Sequence, residues 1–374
     1  MAQSGEMAAT AEEPATAPMD AAPLPLGKQP DAPDSASTPR DPVTEKSLTG
    51  PIGKHQSDNL LGKNTDDPAA TAAAVPARVP GPGAATEQIK PSSTAPAWPQ
   101  TPAEHPLTKF FSQIEVLTKE AAHDEVYGIT LSPKNEFHTK LILQKYLRAN
   151  QNDLDKAKQQ LLDTLKWRKD FDPVKAAGET FERSRFEGLG WLLQVEDVPE
   201  SANKRDVVTF NIYGAVKDNK KTFGDIDAFL RWRVGLMERS VQHLNLSLAT
   251  QPIPDFGAGP DPYQGIQVHD YLQVSFIPMR RDRLVNAAIK KTIDVLGRYY
   301  PEMLSRKYFV NVPLVMGWVY QAAKMIVSKE TAKKFTVLSY GSALAGELGK
   351  GLPKEYGGEK GALSEVGEPM KLED

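Results

Sequence analysis

Hydrophobic positions in the stretch 106–168 repeat with the period of an α-helix. The first apolar residues stand three or four positions apart, at Leu107, Phe110, Phe111, Ile114 and Leu117. A second helix is predicted over about 136–149. A third begins at Asn152 or Asp153, both favoured helix N-caps, and runs to Arg168. The pattern predicts a small helical module over 106–175.

From about Gly188 the rhythm changes to short strands that alternate with longer helices. The predicted strands cover 191–195, 207–213, 267–276, 308–312 and 335–338. The predicted helices cover about 225–246, 283–300 and 314–328. Strands that alternate with helices indicate an α/β fold, with a mostly parallel sheet and crossover helices. We assign 176–358 to this larger lobe.

The strand predicted over 267–276 alternates cleanly between two sets of side chains. One set consists of Gln267, His269, Tyr271, Gln273 and Ser275. On a solvent-facing sheet this would be an ordinary half-buried strand. A strand inside a parallel sheet is covered on both faces, which favours a cavity wall. Histidine often ligates metals and tyrosinate can ligate haem iron, although a lone histidine is more often structural.

Arg233 interrupts an otherwise apolar helix face. The positions that share this face are Ile226, Phe229, Leu230, Arg233 and Met237. An unpaired arginine is too costly to bury, so it needs a carboxylate or phosphate partner. The choices are a salt bridge with Asp270 or another acid, a side chain that reaches out to solvent, or an anion clamp for a ligand.

Two further features have both a plain and a functional interpretation. Lys307 is at the start of a predicted strand. Ligand groups collect at strand ends in parallel sheets, which gives Lys307 a functional interpretation. The plain interpretation is a lysine exposed to solvent. The predicted helix 314–328 is apolar nearly all round. Such a helix is buried in a core or meets lipid, and this one is too short to span a bilayer.

Composition separates the first 105 residues from the rest. Of the 30 prolines, 18 fall within the first 106 residues, and Trp98 is the only aromatic residue up to 105. The segment 1–105 carries 7 Lys/Arg and 13 Asp/Glu, which leaves 38 and 35 for the remainder. A segment so poor in apolar residues predicts a disordered arm. The Gly- and acid-rich stretch 359–374 predicts a flexible tail.

Several classes are disfavoured by what the sequence lacks. There are no cysteines, which excludes disulfides, zinc thiolates and iron–sulfur clusters. The motifs GxGxxG, GxxxxGK[ST], GxSxG and HExxH are absent. The slight basicity after residue 105 does not argue for nucleic acid. No secretory signal or run of 18 apolar residues is present, so we expect a cytoplasmic protein with peripheral membrane contact still open.

Three ordered blocks resemble the CRAL-TRIO (Sec-fourteen-like) lipid-binding family. Leu147-Arg148-Ala149-Asn150, followed by Trp167-Arg168, is similar to its LRAR and WR pattern. Tyr299-Tyr300-Pro301-Glu302 with Asn311-Val312-Pro313 is similar to its YYPE and N-x-P block, and the stretch 352–358 is similar to its closing LP-x-E-[YF]-GG. Phe229–Glu238 and Gln267–Tyr271 resemble the branch of fungal non-classical phosphatidylinositol transfer proteins.

The resemblance implies a helical module and a sheet lobe around one hydrophobic cavity. It implies binding of phosphatidylinositol, not phosphatidylcholine, and of haem b. Carried over by motif, Tyr271 would be the axial iron ligand with His269 beside it, and Arg233 and Lys307 would meet the haem propionates. Tyr127, in a short motif, is the fifth residue carried over. The resemblance further implies contact with endoplasmic reticulum or microsomal membranes.

Two functions follow as hypotheses. The first is transfer of phosphatidylinositol, with the apolar helix 314–328 as a gate at an anionic membrane surface. The alternative is a dedicated haem-binding protein for storage, delivery or sensing. An enzyme is not expected, because a haem peroxidase would need a separate acid–base pair that the sequence does not show.

Overall fold

The computed structural model describes residues 96–274, 282–312 and 329–374. The helical module opens the described part of the chain. Its elements are α1 (Pro106–Phe111), α2 (Ile114–Ala121), β1 (Glu125–Val126), β2 (Ile129–Thr130), α3 (Glu136–Ala149), α4 (Leu154–Phe171) and α5 (Pro173–Gly178). The two later predicted helices are confirmed as α3 and α4, whereas the first predicted helical stretch is divided at Ser112 and Gln113 into α1 and α2. Asp153 caps α4 by accepting a hydrogen bond from the Lys156 backbone N–H.

The lobe follows, with strands and helices in alternation. It contains β3 (Thr180–Glu182), α6 (Arg183–Phe186), β4 (Gly190–Glu196), β5 (Arg205–Ile212), α7 (Asn219–Phe223), α8 (Ile226–His243), β6 (Gly265–Asp270), α9 (Arg283–Tyr299), β7 (Leu304–Val310), α10 (Lys329–Lys333), β8 (Phe335–Val337), α11 (Leu344–Leu348), α12 (Leu363–Val366), β9 (Glu368–Pro369) and β10 (Lys371–Glu373). Asp225 caps α8 and Asp282 caps α9, which fixes where the two long helices begin.

The main sheet has the strand order β8-β7-β6-β5-β4-β9. Strands β5 to β8 are parallel, whereas β4 pairs antiparallel with both β5 and β9. The predicted α/β fold with a mostly parallel sheet is confirmed, with mixed pairing at one edge. Helix α8 lies against one face: a Cβ on Gly190 would meet the Leu236 side chain at 2.6 Å, so glycine at this point of β4 allows the close approach.

The opposite face of the sheet is an apolar core. Val208, Phe210, Val268 and Tyr308 point to this side and pack against residues of α11 and the C-terminal turns. The first face carries polar residues, because the side chains of neighbouring positions in a strand alternate. The sheet therefore separates a continuous core from a polar floor.

Two predicted boundaries differ from the structure. The sequence predicts an arm up to residue 105, of which 1–95 lie outside the described residues. Trp98 already packs on the module, with its ring centroid 5.5 Å from that of Phe137. The tail 359–374, predicted to be flexible, forms α12, β9 and β10 instead. Its order comes from pairing with β4 and β3 and from burial of Met370, which a composition argument does not detect.

The central strand is shorter than predicted. The sequence predicts a strand over 267–276, but β6 ends at Asp270, whose carboxylate accepts a hydrogen bond from the Leu272 backbone N–H at 2.8 Å. This side-chain turn ends the ladder, and Leu272 is exposed. Ser275 and the residues after it to 281 lie outside the described part.

The predicted apolar helix 314–328 also lies outside the described residues. Within the described part, no helix combines the length and apolarity that crossing a bilayer requires.

Candidate ligand site

The polar face of the sheet carries two rows of side chains that cross four strands. Parallel register places the following partners side by side: Thr209, Gln267, Lys307 and Phe335 in one row, and Asn211, His269, Phe309 and Val337 in the next. Residues two apart in a strand share a face, so the two rows form one surface. Helix α8 covers part of it, and the Gln267 amide lies 3.7 Å from the sulfur of Met237. This surface is the floor of the candidate site.

Aromatic rings gather where β5 and β6 end. The Tyr213 hydroxyl is hydrogen-bonded to His269 Nδ1 at 2.8 Å, and its ring centroid lies 5.0 Å from that of Tyr271. The Phe309 ring lies 5.6 Å from His269 and 6.3 Å from Tyr271. The structure thus brings together the predicted pair His269 and Tyr271 around Tyr213 and Phe309, although Tyr271 follows the last residue of β6.

Arg233 reaches this floor from α8 without a carboxylate partner. It is 4% exposed, and its Nη1 atom is buried without a hydrogen bond. Burial lowers the pKa of Arg233, yet a guanidinium remains charged at neutral pH. The alternative of a salt bridge to Asp270 is wrong. Asp270 points to the opposite face, where it accepts hydrogen bonds from Tyr356 and Asn311.

Lys307 lies inside β7, not at the start of a strand as the sequence predicts. Its Nζ atom is 5.5 Å from the ring centroid of Phe309 and 5.6 Å from that of Phe335. Burial, reinforced by the charge of Arg233, lowers the pKa of Lys307 to about 7. Burial also lowers the pKa of His269 well below its usual value, helped by Lys307 and Arg233. The imidazole is therefore neutral at physiological pH.

The site collects basic groups and lacks acids. In the described ranges, Arg233 and Lys307 form no ion pair with any Asp or Glu within 4.0 Å. The two internal stretches outside the description, 275–281 and 313–328, contain no Asp or Glu in their sequence. A buried arginine and a half-buried lysine with no carboxylate partner among the described residues are costly, and an anionic ligand would offset that cost. The arrangement is suited to hold a phosphate or carboxylate group beside an apolar surface.

Comparison with known proteins identifies the architecture. A family model described as "CRAL/TRIO domain" matches residues 202–358, and one described as "CRAL/TRIO, N-terminal domain" matches residues 106–163. A protein of Phaeosphaeria nodorum named phosphatidylinositol transfer protein SFH5 is 61% identical over 330 residues, which cover 88% of this chain and 96% of that protein. The chain belongs to the CRAL/TRIO family. The resemblance seen in the sequence is confirmed.

Other relatives agree with this assignment. A Cryptococcus neoformans protein with the same name is 47% identical over 292 residues, covering 76% of this chain and 96% of that protein. A solved structure, "Crystal structure of Sfh5", has a TM-score of 0.60 and 32% identity, and covers 72% of this chain and 93% of that chain. The Phaeosphaeria and Cryptococcus relatives are named as transfer proteins rather than enzymes, in line with the expectation for this chain.

Tyr127 lies in the helical module, whereas the other four predicted site residues lie in the lobe. It occupies the tight β1–β2 hairpin loop with Gly128, both at positive φ. Its hydroxyl donates to the Tyr299 carbonyl at 2.7 Å, and its ring stacks on Tyr300 with centroids 5.7 Å apart. Burial raises the pKa of Tyr127 well above its usual value. The structure gives Tyr127 a packing role at the base of α9.

A buried ionic network lies beside Tyr127 and joins the two CRAL/TRIO modules. Arg168 of α4 donates to Glu238 of α8 at 2.7 Å and to Glu125 at 2.8 Å. The Tyr300 hydroxyl donates to Glu238 at 2.7 Å. The contrast with Arg233 is direct, because Arg168 has two carboxylate partners and Arg233 has none among the residues that the structure describes.

Among the residues that sequence reasoning missed are Thr209 of the floor and Tyr213 at its edge. Thr209 carries a buried hydroxyl without a partner, and Tyr213 hydrogen-bonds to His269. The signal was available, since both lie at odd positions of a predicted strand that neighbours the His269 strand. Finding them required the register of β5 against β6, which the sequence does not give.

The described residues contain no cluster of three or more His, Cys, Asp or Glu side chains arranged to hold a metal ion. A site of that composition is therefore not part of the described lobe. Ligation by a single phenol is a different chemistry and is treated below.

Proposed function

We propose that this protein binds phosphatidylinositol in its lobe and transfers it between membranes. The observation that carries the proposal is that two cationic side chains, Arg233 and Lys307, have no carboxylate partner among the described residues. They lie on a floor that continues into aromatic side chains. Both named relatives, at 61% and 47% identity, are called phosphatidylinositol transfer proteins. A phospholipid presents an anionic phosphate next to an apolar body, which matches the two parts of this site.

The same charges argue for exclusion of phosphatidylcholine. Its headgroup carries a quaternary ammonium, which two cations without a nearby acid would repel. Inositol is neutral and rich in hydroxyls. The unpartnered Thr209 hydroxyl and the amides of Asn211 and Gln267 are suitable hydrogen-bond partners for it.

Membrane contact belongs to the same proposal. The apolar sequence 314–328, with Trp318 and Lys324, followed by Lys329, Lys333 and Lys334, has the composition of a segment that meets an anionic bilayer surface. The corresponding location is the cytoplasm, with peripheral attachment to endoplasmic reticulum or microsomal membranes.

A vesicle transfer assay tests the proposal. Labelled phosphatidylinositol should move from donor to acceptor vesicles with the wild-type protein, and labelled phosphatidylcholine should not. Arg233→Met and Lys307→Met should each reduce transfer at least ten-fold, because each removes one charge-assisted contact to the phosphate. Lys350→Met, an exposed lysine paired with Glu359, is the matched control. Undiminished transfer by Arg233→Met would contradict the assigned site.

Haem b is a second candidate ligand for the same site. The observation that favours it is the cluster of Tyr271, His269 and Tyr213 beside two cations. The residues fit the group, since unpaired Arg233 and Lys307 are suitable donors to propionates and Tyr271 offers a phenol. Burial and neighbouring Tyr213 raise the pKa of Tyr271 well above its usual value. A bound ferric ion would supply the positive charge that stabilises its phenolate.

In this proposal Tyr271 ligates the iron, His269 lies beside it, and Arg233 and Lys307 hold the propionates. Tyr127 matches by motif, and its hydroxyl donates to the Tyr299 carbonyl, so in this proposal it would act through packing. A protein dedicated to haem storage, delivery or sensing would show little lipid transfer, so the vesicle assay above separates the two functions.

The visible absorption spectrum of the purified protein tests haem binding. A Soret band with ferric–phenolate features is expected, and Tyr271→Phe should lose those features. Tyr340→Phe, a change at a phenol that is 72% exposed, should leave the spectrum unaltered. A protein that stays colourless after haem addition would remove this candidate.

A further inference from the structure

Half-buried Lys307 differs from two other described lysines, buried Lys145 and half-buried Lys334, in what its amine contacts. Lys145 donates to Asp261 at 2.7 Å and to the carbonyls of Tyr263 and Glu302. Lys334 donates to the Leu304 carbonyl at 2.6 Å. Lys307 Nζ has no such acceptor among the described residues, and two phenylalanine rings form its surroundings. It is a primary amine kept out of any hydrogen-bonded or ionic pair.

The groups around Lys307 favour its neutral form. Arg233 of α8 contributes a positive charge, and His269 of β6 is neutral. The remaining neighbours in its row are the uncharged Gln267 and Phe335. Desolvation in an apolar pocket and an adjacent cation are the two conditions that turn a lysine into an amine nucleophile.

The pocket also indicates the class of electrophile. Lys307 borders a cluster of Phe309, Val312 and Phe335, packed with Tyr271 and Val337. We propose that Lys307 is a reactive lysine that captures long-chain aldehydes as imines inside the lobe. This activity goes beyond phosphatidylinositol transfer and does not depend on it.

The chemistry balances without an oxidant or a metal. The neutral amine nitrogen attacks the aldehyde carbon, and the carbonyl electron pair moves to oxygen, which takes a proton to give a carbinolamine. The carbinolamine then loses its hydroxyl group with a proton from nitrogen as water, and the C=N bond forms. Both hydrogens of the amine leave as part of that water. No atom is oxidised or reduced, and addition of water to the imine reverses the reaction.

Reductive trapping tests the proposal on the full-length protein. The protein is incubated with hexadecanal at pH 7.5, treated with cyanoborohydride, digested, and searched for lysines that carry one hexadecyl group. Lys307 should be labelled at least ten-fold more than Lys350 or Lys334. At this pH about half or more of an amine with a pKa near 7 is neutral, against roughly one in a thousand for an ordinary lysine. Labelling of Lys307 at or below the level of Lys350 would overturn the proposal.

Two further arms separate this chemistry from general lysine reactivity. Arg233→Met should reduce labelling of Lys307 several-fold at pH 7.5 and restore it at pH 9.5, because loss of the neighbouring charge raises the lysine pKa. An unchanged pH profile would refute the activating role of Arg233. Butanal at the same concentration should label Lys307 less than hexadecanal, and equal labelling would refute a preference for long chains. The wild-type peptide map decides the main question even if variants fold poorly.

Discussion

At the scale of single residues, two buried arginines have opposite surroundings, and their substitution should therefore change stability in opposite ways. Arg168 is held by Glu125 and Glu238, whereas the Nη1 atom of Arg233 has no partner. Both lie near α8, and each is almost fully buried. Their local sequences do not distinguish them, since each is an arginine on a largely apolar helix face. The difference lies in the carboxylates that tertiary structure brings to one and not to the other.

Substitution by methionine should separate them. Arg168→Met should lower the free energy of unfolding by about 3–5 kcal/mol, because Glu238 is left buried without its cation. Arg233→Met should be neutral or stabilising in the ligand-free protein, because it removes an unpaired buried charge. Urea denaturation measures both. An equal loss in the two variants would mean that Arg233 has a partner in the folded state.

Lys307 should make stability depend on pH. Its folded-state pKa of about 7 is below the unfolded value near 10.4, so the unfolded chain binds more protons between these values. The free energy of unfolding should therefore rise with pH across this window, by up to about 1.4 kcal/mol per pH unit. The signature is the difference between wild type and Lys307→Met in ligand-free denaturation series from pH 6 to pH 10. A difference that does not change with pH would contradict a depressed pKa.

At the scale of secondary-structure elements, the C-terminal strands form a strap across the lobe. Strand β9 pairs with β4, and β10 pairs in parallel with β3. Glu368 forms an ion pair with Arg239 of α8, and its carboxylate lies 3.0 Å from His243 Nε2 on the same helix. Met370 is 3% exposed and lies in the cluster of Trp232 and Leu236. The strap therefore attaches the end of the chain to the helix that carries Arg233.

Met370→Ala should destabilise the protein by about 2–5 kcal/mol, because it leaves a cavity under the strap. Lys371→Ala, at the neighbouring exposed position, should change the unfolding free energy by no more than about 0.5 kcal/mol. Chemical denaturation compares the two. Equal small effects would show that the strap is not attached in solution.

The elements themselves were largely predictable, because apolar spacing follows the helix and strand periods. Two features were misjudged for different reasons. The end of β6 depends on a local hydrogen bond between Asp270 and the Leu272 backbone N–H, which the strand alternation does not reveal, and the order of the tail depends on distant pairing with β3 and β4. At the site, His269 and Tyr271 share a face by periodicity alone. To predict that Tyr213 joins the site would have required the strand register. To predict that Arg233 has no carboxylate partner would have required the positions of the acidic residues in the fold.

At the scale of the whole molecule, the helical module and the lobe share one core. A single apolar cluster contains residues of α1 to α4 together with Leu230, Val234 and Val241 of α8 and Val295 of α9. The Arg168–Glu238 pair crosses the same boundary. The two family segments are therefore separate in sequence but continuous in packing.

This continuity predicts cooperative unfolding of residues 96–374. Trp98 and Trp167 report on the helical module, and Trp191 and Trp232 report on the lobe. Unfolding curves from single-tryptophan variants of the two groups should have the same midpoint. Separate midpoints would show that the modules unfold independently.

The Arg168–Glu238 pair also has an evolutionary consequence. Its two residues stand 70 positions apart and on opposite sides of the module boundary. A recombination event that joins the helical module of one relative to the lobe of another keeps a stable protein only when both halves of the pair are inherited in matching form. We therefore expect the helical module and the lobe to be inherited together, because the two residues of the buried pair must match.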